Sequence, residues 1–347
     1  MKKWIKIAVL LTIVISLAVS VPFIDSDPQS QYVTATPDGK KFIKWMEFNV
    51  PYSALSKAMN IDIKSFGTAT KIDWIEMLAY LAAKYGGNWK LYKSKDMDKL
   101  TERLNKGEQM TELTKNMKNF NYFYECYNAV LGEFLGETEM ETPNPMKSDT
   151  KIVKRNYGLK VFSPFAKNYY YSHSDDFGNR RTFGFTRGHM GNDLVGSVGT
   201  PIVAVESGII EVMGWNMYGG WRIGIRSFDR KRYYYYAHLR KGHPFQSTLK
   251  EGDTVKAGDV IGYLGMTGYS TKEDTNGMKV PHLHFGMQLI FDESQKECNN
   301  ELWIDVYQII NLLEKSRSAV SKNQETKEYN RVYDFNEVNV IKQTFGE

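Results

Sequence analysis

Pro281-His282-Leu283-His284-Phe285 sets two histidines one residue apart among apolar neighbours, the pattern of a β-strand. Alternate side chains on a strand share a face, so His282 and His284 project together while Leu283 and Phe285 point the other way. Two imidazoles on one sheet face make half of a metal site. Upstream, Gly188-His189-Met190-Gly191-Asn192-Asp193 supplies an imidazole and a carboxylate four apart, with glycines that let the backbone turn them inward. His189, Asp193 and His284 then offer three N/O ligands with a fourth position left for water, the donor set of a catalytic rather than a closed structural Zn²⁺ site. One Zn²⁺ per chain would acidify its water for attack on a carbonyl that the ion also polarises, which is what amide hydrolysis requires.

All six histidines lie between residues 173 and 284. His173 and His243 read as ordinary hydrogen-bonding or surface residues. His238 closes the run Tyr233-Tyr234-Tyr235-Tyr236-Ala237-His238, so strict alternation would put Tyr234, Tyr236 and His238 on one face. No His-Glu-x-x-His helix is present, so the acid–base work cannot fall to that motif's glutamate. His238 and His282 are the catalytic candidates, one to take a proton from the water and one to steady the oxyanion; spacing does not say which does which. Tyr236 and Tyr234 are either groove-lining residues or strand-packing aromatics.

These residues need elements to hold them. A length of 347 residues suits two modest domains, and 42% hydrophobic residues with 14% aromatics can bury a real core. The net charge of +5 permits weak attraction to anionic wall polymers or lipid headgroups, while the absence of a basic helix or arginine-rich arm argues against nucleic acid. Lys2, Lys3 and Lys6 precede an apolar run over residues 7–24. Residues 1–24 are therefore expected to be an export signal, cut after Ser20 behind Ala18-Val19-Ser20, or a retained membrane anchor. A charged start before unbroken hydrophobicity argues against a buried core helix there. Either way the remainder is expected to be extracytoplasmic, secreted or held at the membrane. Cys126 and Cys298 are expected to be separate thiols in different domains, not a disulfide scaffold.

Residues 25–44 read as a linker, and residues 45–136 as a small α-helical domain whose role and protein partner the sequence does not name. Asp73-Trp74-Ile75-Glu76 has the form of a helix N-terminus, with Ile75, Leu78, Ala79 and Ala82 at helical spacing and Gly86-Gly87 after them. Glu76 thus reads as a helix-cap residue, not a catalytic acid. Phe120, Phe123, Tyr127, Leu131 and Phe134 read as a core stripe, not a sugar platform. Residues 137–157, acidic with Pro143 and Pro145, read as a second linker. Short runs punctuated by glycine then predict many strands, followed by one helix over Leu302–Leu313 and a loosely packed polar tail over 316–347. The expected fold is α+β and multidomain: an export signal or anchor, a small all-α domain, then a mainly antiparallel, groove-forming β domain over 158–315 with a terminal helix.

His189-x-x-x-Asp193, Ala237-His238-Leu239 and Pro281-His282-Leu283-His284-Phe285 occur in that order. Between them lie Gly199-Thr200-Pro201-Ile202-x-Ala204-x-x-x-Gly208, Val255-x-x-Gly258-Asp259-x-Ile261-Gly262 and Gly265-x-Thr267-Gly268-x-Ser270-Thr271. Together, over about residues 158–292, these resemble the M23 family of zinc metallopeptidases, the lysostaphin/LytM type. The resemblance implies an antiparallel β groove with zinc at its floor and hydrolysis of peptide bonds in bacterial peptidoglycan, in wall remodelling or lysis. It implies His189, Asp193 and His284 as ligands and His238 with His282 as the catalytic pair. Two features depart from the family pattern: residues 272–280 are inserted before Pro281 and should border the groove, and Gly286 stands where an acidic residue often follows the phenylalanine. The competing class is a non-catalytic protein of the same fold, a wall-binding scaffold or a hydrolase-regulating member of a membrane complex. All five site positions are filled, which favours the enzyme.

Overall fold

The structure, a computed structural model, describes residues 32–144, 147–296 and 300–338. The expected export segment over 1–24 and Cys298 lie outside the described residues. No helix among the described residues is long and apolar enough to cross a membrane. Cys126 is buried in the helical region as a free thiol.

Among the described residues, five α-helices occupy the first part: α1 (Tyr52–Ser65), α2 (Trp74–Tyr85), α3 (Ser94–Asn105), α4 (Met110–Thr114) and α5 (Phe120–Leu131). The α2 start is built as its sequence implies, with the Asp73 carboxylate accepting from the backbone N–H of Ile75 at 2.7 Å and of Glu76 at 2.9 Å. Tyr127, Leu131 and Phe134 are fully buried and Phe120 and Phe123 pack partly against them, as a core stripe should.

The second part is organised by a seven-stranded antiparallel sheet. Its strands are β1 (Asn192–Val195), β2 (Gly208–Asn216), β3 (Gly220–Ser227), β4 (Arg232–Ala237), β5 (Thr254–Val255), β6 (His282–Leu289) and β7 (Leu302–Ile304). The order is β5-β2-β3-β4-β6-β7, with β1 also paired to β6. β6 therefore has two partners along one edge: β1 takes His282–Phe285 and β7 takes Met287–Leu289. Leu283, Phe285, Met287 and Leu289 are buried, so one face of β6 supplies core. That core is continuous with the helices. Arg232, fully buried, donates to the Ala129 carbonyl of α5 at 2.6 Å and pairs with Glu206 at 2.8 Å and Asp229 at 2.8 Å.

Four sequence expectations are corrected here. The Leu302–Leu313 helix divides: Leu302–Ile304 is strand β7, because it completes the free edge of β6, and helix α6 spans only Tyr307–Leu313. The described part of the first linker forms a small hairpin of Val33–Ala35 with Lys41–Ile43. The second linker is a hairpin too, of Leu135–Asn144 with Lys147–Leu159. Its acidic residues alternate and meet basic partners across the strands, Glu137 with Arg155 at 3.0 Å and Glu141 with Lys151 at 3.0 Å. The tail contributes strands as well: Val320–Lys322 pairs with Tyr329–Arg331, and Phe335–Glu337 joins the Leu135–Asn144 strand as a third member.

Candidate metal centre

Asp193 and His284 are direct cross-strand partners between β1 and β6, so their side chains meet without further help. Asp193 Oδ1 lies 3.1 Å from His284 Nδ1. His189 enters from the turn before β1, its Nε2 2.9 Å from Asp193 Oδ1 and 2.8 Å from His284 Nδ1. Gly191 makes this approach possible, since a Cβ there would lie 2.7 Å from both His284 Cε1 and the Phe285 carbonyl oxygen. The trio His189, Asp193 and His284 forms a cluster able to hold a metal ion. The support around it fits that use. Asp176 Oδ2 sits 3.1 Å from His189 Nδ1, which places the ring proton on Nδ1 and leaves the Nε2 lone pair for a metal. Arg181 Nη2 donates to the second Asp193 oxygen at 3.0 Å and to Asp176 Oδ2 at 3.0 Å. Asn192 fixes Asp176 in turn, donating to its Oδ1 at 2.7 Å, while His173 Nδ1 lies 2.6 Å from Asn192 Oδ1.

The charges follow from these contacts. Burial opposes ionisation of Asp193, but hydrogen bonds with His189 and His284 outweigh it and hold the carboxyl far below the usual range. Burial likewise disfavours the His189 imidazolium, yet Asp176 and Asp193 raise its pKa to about 9 in the metal-free chain. His284 and His238 are both lowered, chiefly by burial.

His238 and His282 stand together beside this cluster, ring centroids 4.8 Å apart. Each has Nδ1 occupied by a backbone carbonyl, Thr267 O at 2.8 Å for His238 and Val280 O at 2.8 Å for His282. Both rings are thereby set as Nδ1–H tautomers with a bare Nε2, and His282 Nε2 lies 3.8 Å from Asp193 Oδ1. All five histidine and aspartate candidates line one open cavity of about 580 Å³. Its walls include Tyr218, Tyr269 and Phe185, gathered around the Arg187 guanidinium.

Tyr234 and Tyr236 do not line this groove. Both are fully buried on the opposite, core-facing side of the sheet, where Tyr234 donates to Glu206 at 2.6 Å and Tyr236 accepts from the Val205 N–H at 2.9 Å. Alternation fails after Ala237 because His238 adopts a left-handed backbone (φ +61°), which swings its ring onto the face that Tyr235 shares. Of the four consecutive strand tyrosines, Tyr235 is the one that lines the groove, its ring 5.8 Å from that of His284. The inserted segment 272–280 does border the groove, through Met278. Its Asp274 carboxylate accepts from the Trp221 indole N–H at 2.8 Å and the Gly242 N–H at 2.8 Å. At Gly286 the indole of Trp303, from β7, takes the available space: a Cβ would meet it at 2.9 Å. Asp176, Arg181, Asn192, Tyr235 and Trp303 carried no sequence signal beyond a short acidic run near Asp176.

Residues 187–298 match peptidase family M23. An L-Ala–D-Glu endopeptidase of Bacillus subtilis (strain 168) is 42% identical over 117 residues, 34% of this chain and 34% of that protein. The glycyl-glycine endopeptidase ALE-1 of Staphylococcus capitis is 43% identical over 98 residues, 28% of this chain and 24% of its own. The peptidoglycan DD-endopeptidase ShyC of Vibrio cholerae is 35% identical over 118 residues, 32% of this chain and 23% of its own. The match spans about a third of the first relative's length and about a quarter of the other two.

Proposed function

We propose that this chain, which carries a peptidase family M23 domain, is a zinc-dependent endopeptidase that hydrolyses peptide bonds in bacterial peptidoglycan outside the cytoplasm. The observation that carries the reading is the trio of donor atoms, His189 Nε2, Asp193 Oδ1 and His284 Nδ1, within about 3 Å of one another and facing His238 and His282. Bound there, Zn²⁺ supplies an acidified water and an electrophile for the substrate carbonyl. The chain's own residues do the rest. His189, Asp193 and His284 hold the ion, with Asp176 fixing the His189 tautomer and Arg181 steadying the Asp193 carboxylate. His238 and His282 present Nε2 lone pairs to the reaction centre. One accepts the proton of the attacking water and returns it to the leaving amine; the other, having taken a proton at Nε2 from solvent, donates a hydrogen bond to the oxyanion. The aromatic walls flank an extended peptide and limit the water around it.

The relatives' names include both a bond to an acidic residue and an uncharged glycyl-glycine bond, so the family leaves open which side chains the groove accepts. Segment 1–24 fits delivery across the membrane, either cleaved or retained as an anchor.

The test is made on the purified full chain: bound zinc by elemental analysis, alongside new amino termini released from purified peptidoglycan. One zinc per chain with chelator-sensitive release is expected. Zinc without release from walls of several chemotypes would leave a binding protein and end the enzyme reading; no zinc would end the metal assignment.

A further inference from the structure

A second cavity of about 360 Å³ lies on the same outer face of the sheet and shares Tyr235, Glu301 and Trp303 with the metal centre's groove. Arg222 of β3 stands at its border. In the pairing ladder Arg222 opposes Gly214 of β2 and follows the Ile223–Tyr236 pair, which sets it beside Ala237; Ala237 pairs with His284, and His284 with Asp193. Arg222 and His284 therefore sit on one row of the sheet, two strand spacings or about 10 Å apart, the reach of about three residues of extended peptide.

The other charges in this cavity are engaged. Glu211 pairs with Lys296 at 3.0 Å and with Arg226 at 3.4 Å, and Glu301 accepts the Trp303 indole N–H at 2.8 Å. Arg222 differs. Its side chain makes no hydrogen bond or ion pair with any described residue, and its Nε is enclosed without a partner. An enclosed guanidinium donor left unmade is costly, and the fork matches a carboxylate bidentately. Gly214 leaves open space on one side of it, and Tyr233 and Tyr235 wall the other.

We propose that Arg222 is a carboxylate subsite: the groove takes an acidic peptide, with one carboxylate seated on Arg222 while a neighbouring peptide bond lies at the His189–Asp193–His284 centre. This rests on the endopeptidase reading and deepens it, because it selects acidic over uncharged peptides. Arg222 is then a specificity residue and touches no reacting atom.

The experiment compares two synthetic peptides that differ only in a glutamyl carboxylate against its carboxamide, on the full chain and on Arg222→Gln and Arg222→Lys. Cleavage kinetics and calorimetric binding are read in parallel, with melting temperature as a control on folding. The native chain is expected to favour the carboxylate by about 10–100-fold, the range of a charge-assisted pair. Arg222→Gln should erase that preference mainly through KM, and Arg222→Lys should keep part of it. A native chain indifferent to the carboxylate, or a preference that survives Arg222→Gln, overturns the subsite. If the native chain cleaves neither peptide the endopeptidase reading fails alone; calorimetry still decides the subsite, since loss of carboxylate-dependent binding in Arg222→Gln supports it and equal binding refutes it.

Discussion

Asp176 stands outside the His189–Asp193–His284 trio, yet it sets the proton on His189, pairs with Arg181 and anchors Asn192. Replacing it by Asn keeps the size and removes the charge that fixes the imidazole. Asp176→Asn is expected to weaken zinc affinity about 10–100-fold with the fold intact, measured by competition with a chelator. His189→Ala and Asp193→Ala should lose zinc and peptide release together, whereas His282→Ala should keep zinc and lose release. Elemental analysis beside an amino-terminus assay separates the two, and an unchanged rate in His282→Ala would remove its assigned role. Strand periodicity converts the spacing of His282 and His284 into a shared face, and the structure gathers them with His189, Asp193 and His238 in one groove. Periodicity misled at Tyr234 and Tyr236, since a left-handed residue at His238 leaves no trace in the letters Ala-His-Leu. Asp176 and Arg181 were not legible: Asp176 lies on irregular loop backbone, and Arg181 in the two-residue strand Arg180–Arg181, too short to show a period.

The element that matters most is β6, which carries His284 on its groove face and divides its outer edge between β1 and β7. The fit of β1 against it depends on the bare backbone at Gly191. Gly191→Ala would drive a methyl group against the Phe285 carbonyl and the His284 ring. A stability loss of about 1–3 kcal/mol by urea unfolding is expected, with weaker zinc binding, because backbone cannot yield as a side chain can. A stability equal to the native chain's would show that β1 is free to shift. At this scale the sequence was legible where apolar periodicity was strong, as in α2 and α5. The Leu135–Leu159 hairpin was missed because its strands carry alternating charge, and a row of cross-strand ion pairs looks like a solvated linker until the partner strand is known. The last strands are short and mostly polar, and gain their order from pairing and from a few apolar anchors such as Phe335, buried against Phe162.

At the scale of the molecule, helices and sheet share one core, and Arg232 is the pin between them. Its guanidinium spans Glu206, Asp229 and the Ala129 carbonyl with no exposure to solvent. Arg232→Met should cost about 3–5 kcal/mol in chemical unfolding, because two carboxylates and a carbonyl lose their partner inside the protein. Adding Glu206→Gln should recover part of that loss; no recovery would mean that packing, not charge, sets the cost. A reading of two modest domains says nothing of this shared core, since a single arginine in a tyrosine-rich strand gives no hint of what lies on it.

The short strand Phe335–Glu337 lies beside residues that precede it by some two hundred positions, and Lys160 clasps it through Glu337 at 2.9 Å. A polypeptide emerging amino end first has the Leu135–Leu159 hairpin in hand long before its third strand exists. Assembly of that corner must wait until residues 335–337 have been made, so it can lock only once they are present. Nascent chains halted at residue 330 should accordingly be cut by trypsin within the 135–159 hairpin, and chains extended to 347 should resist; equal resistance at both lengths would place the locking step earlier.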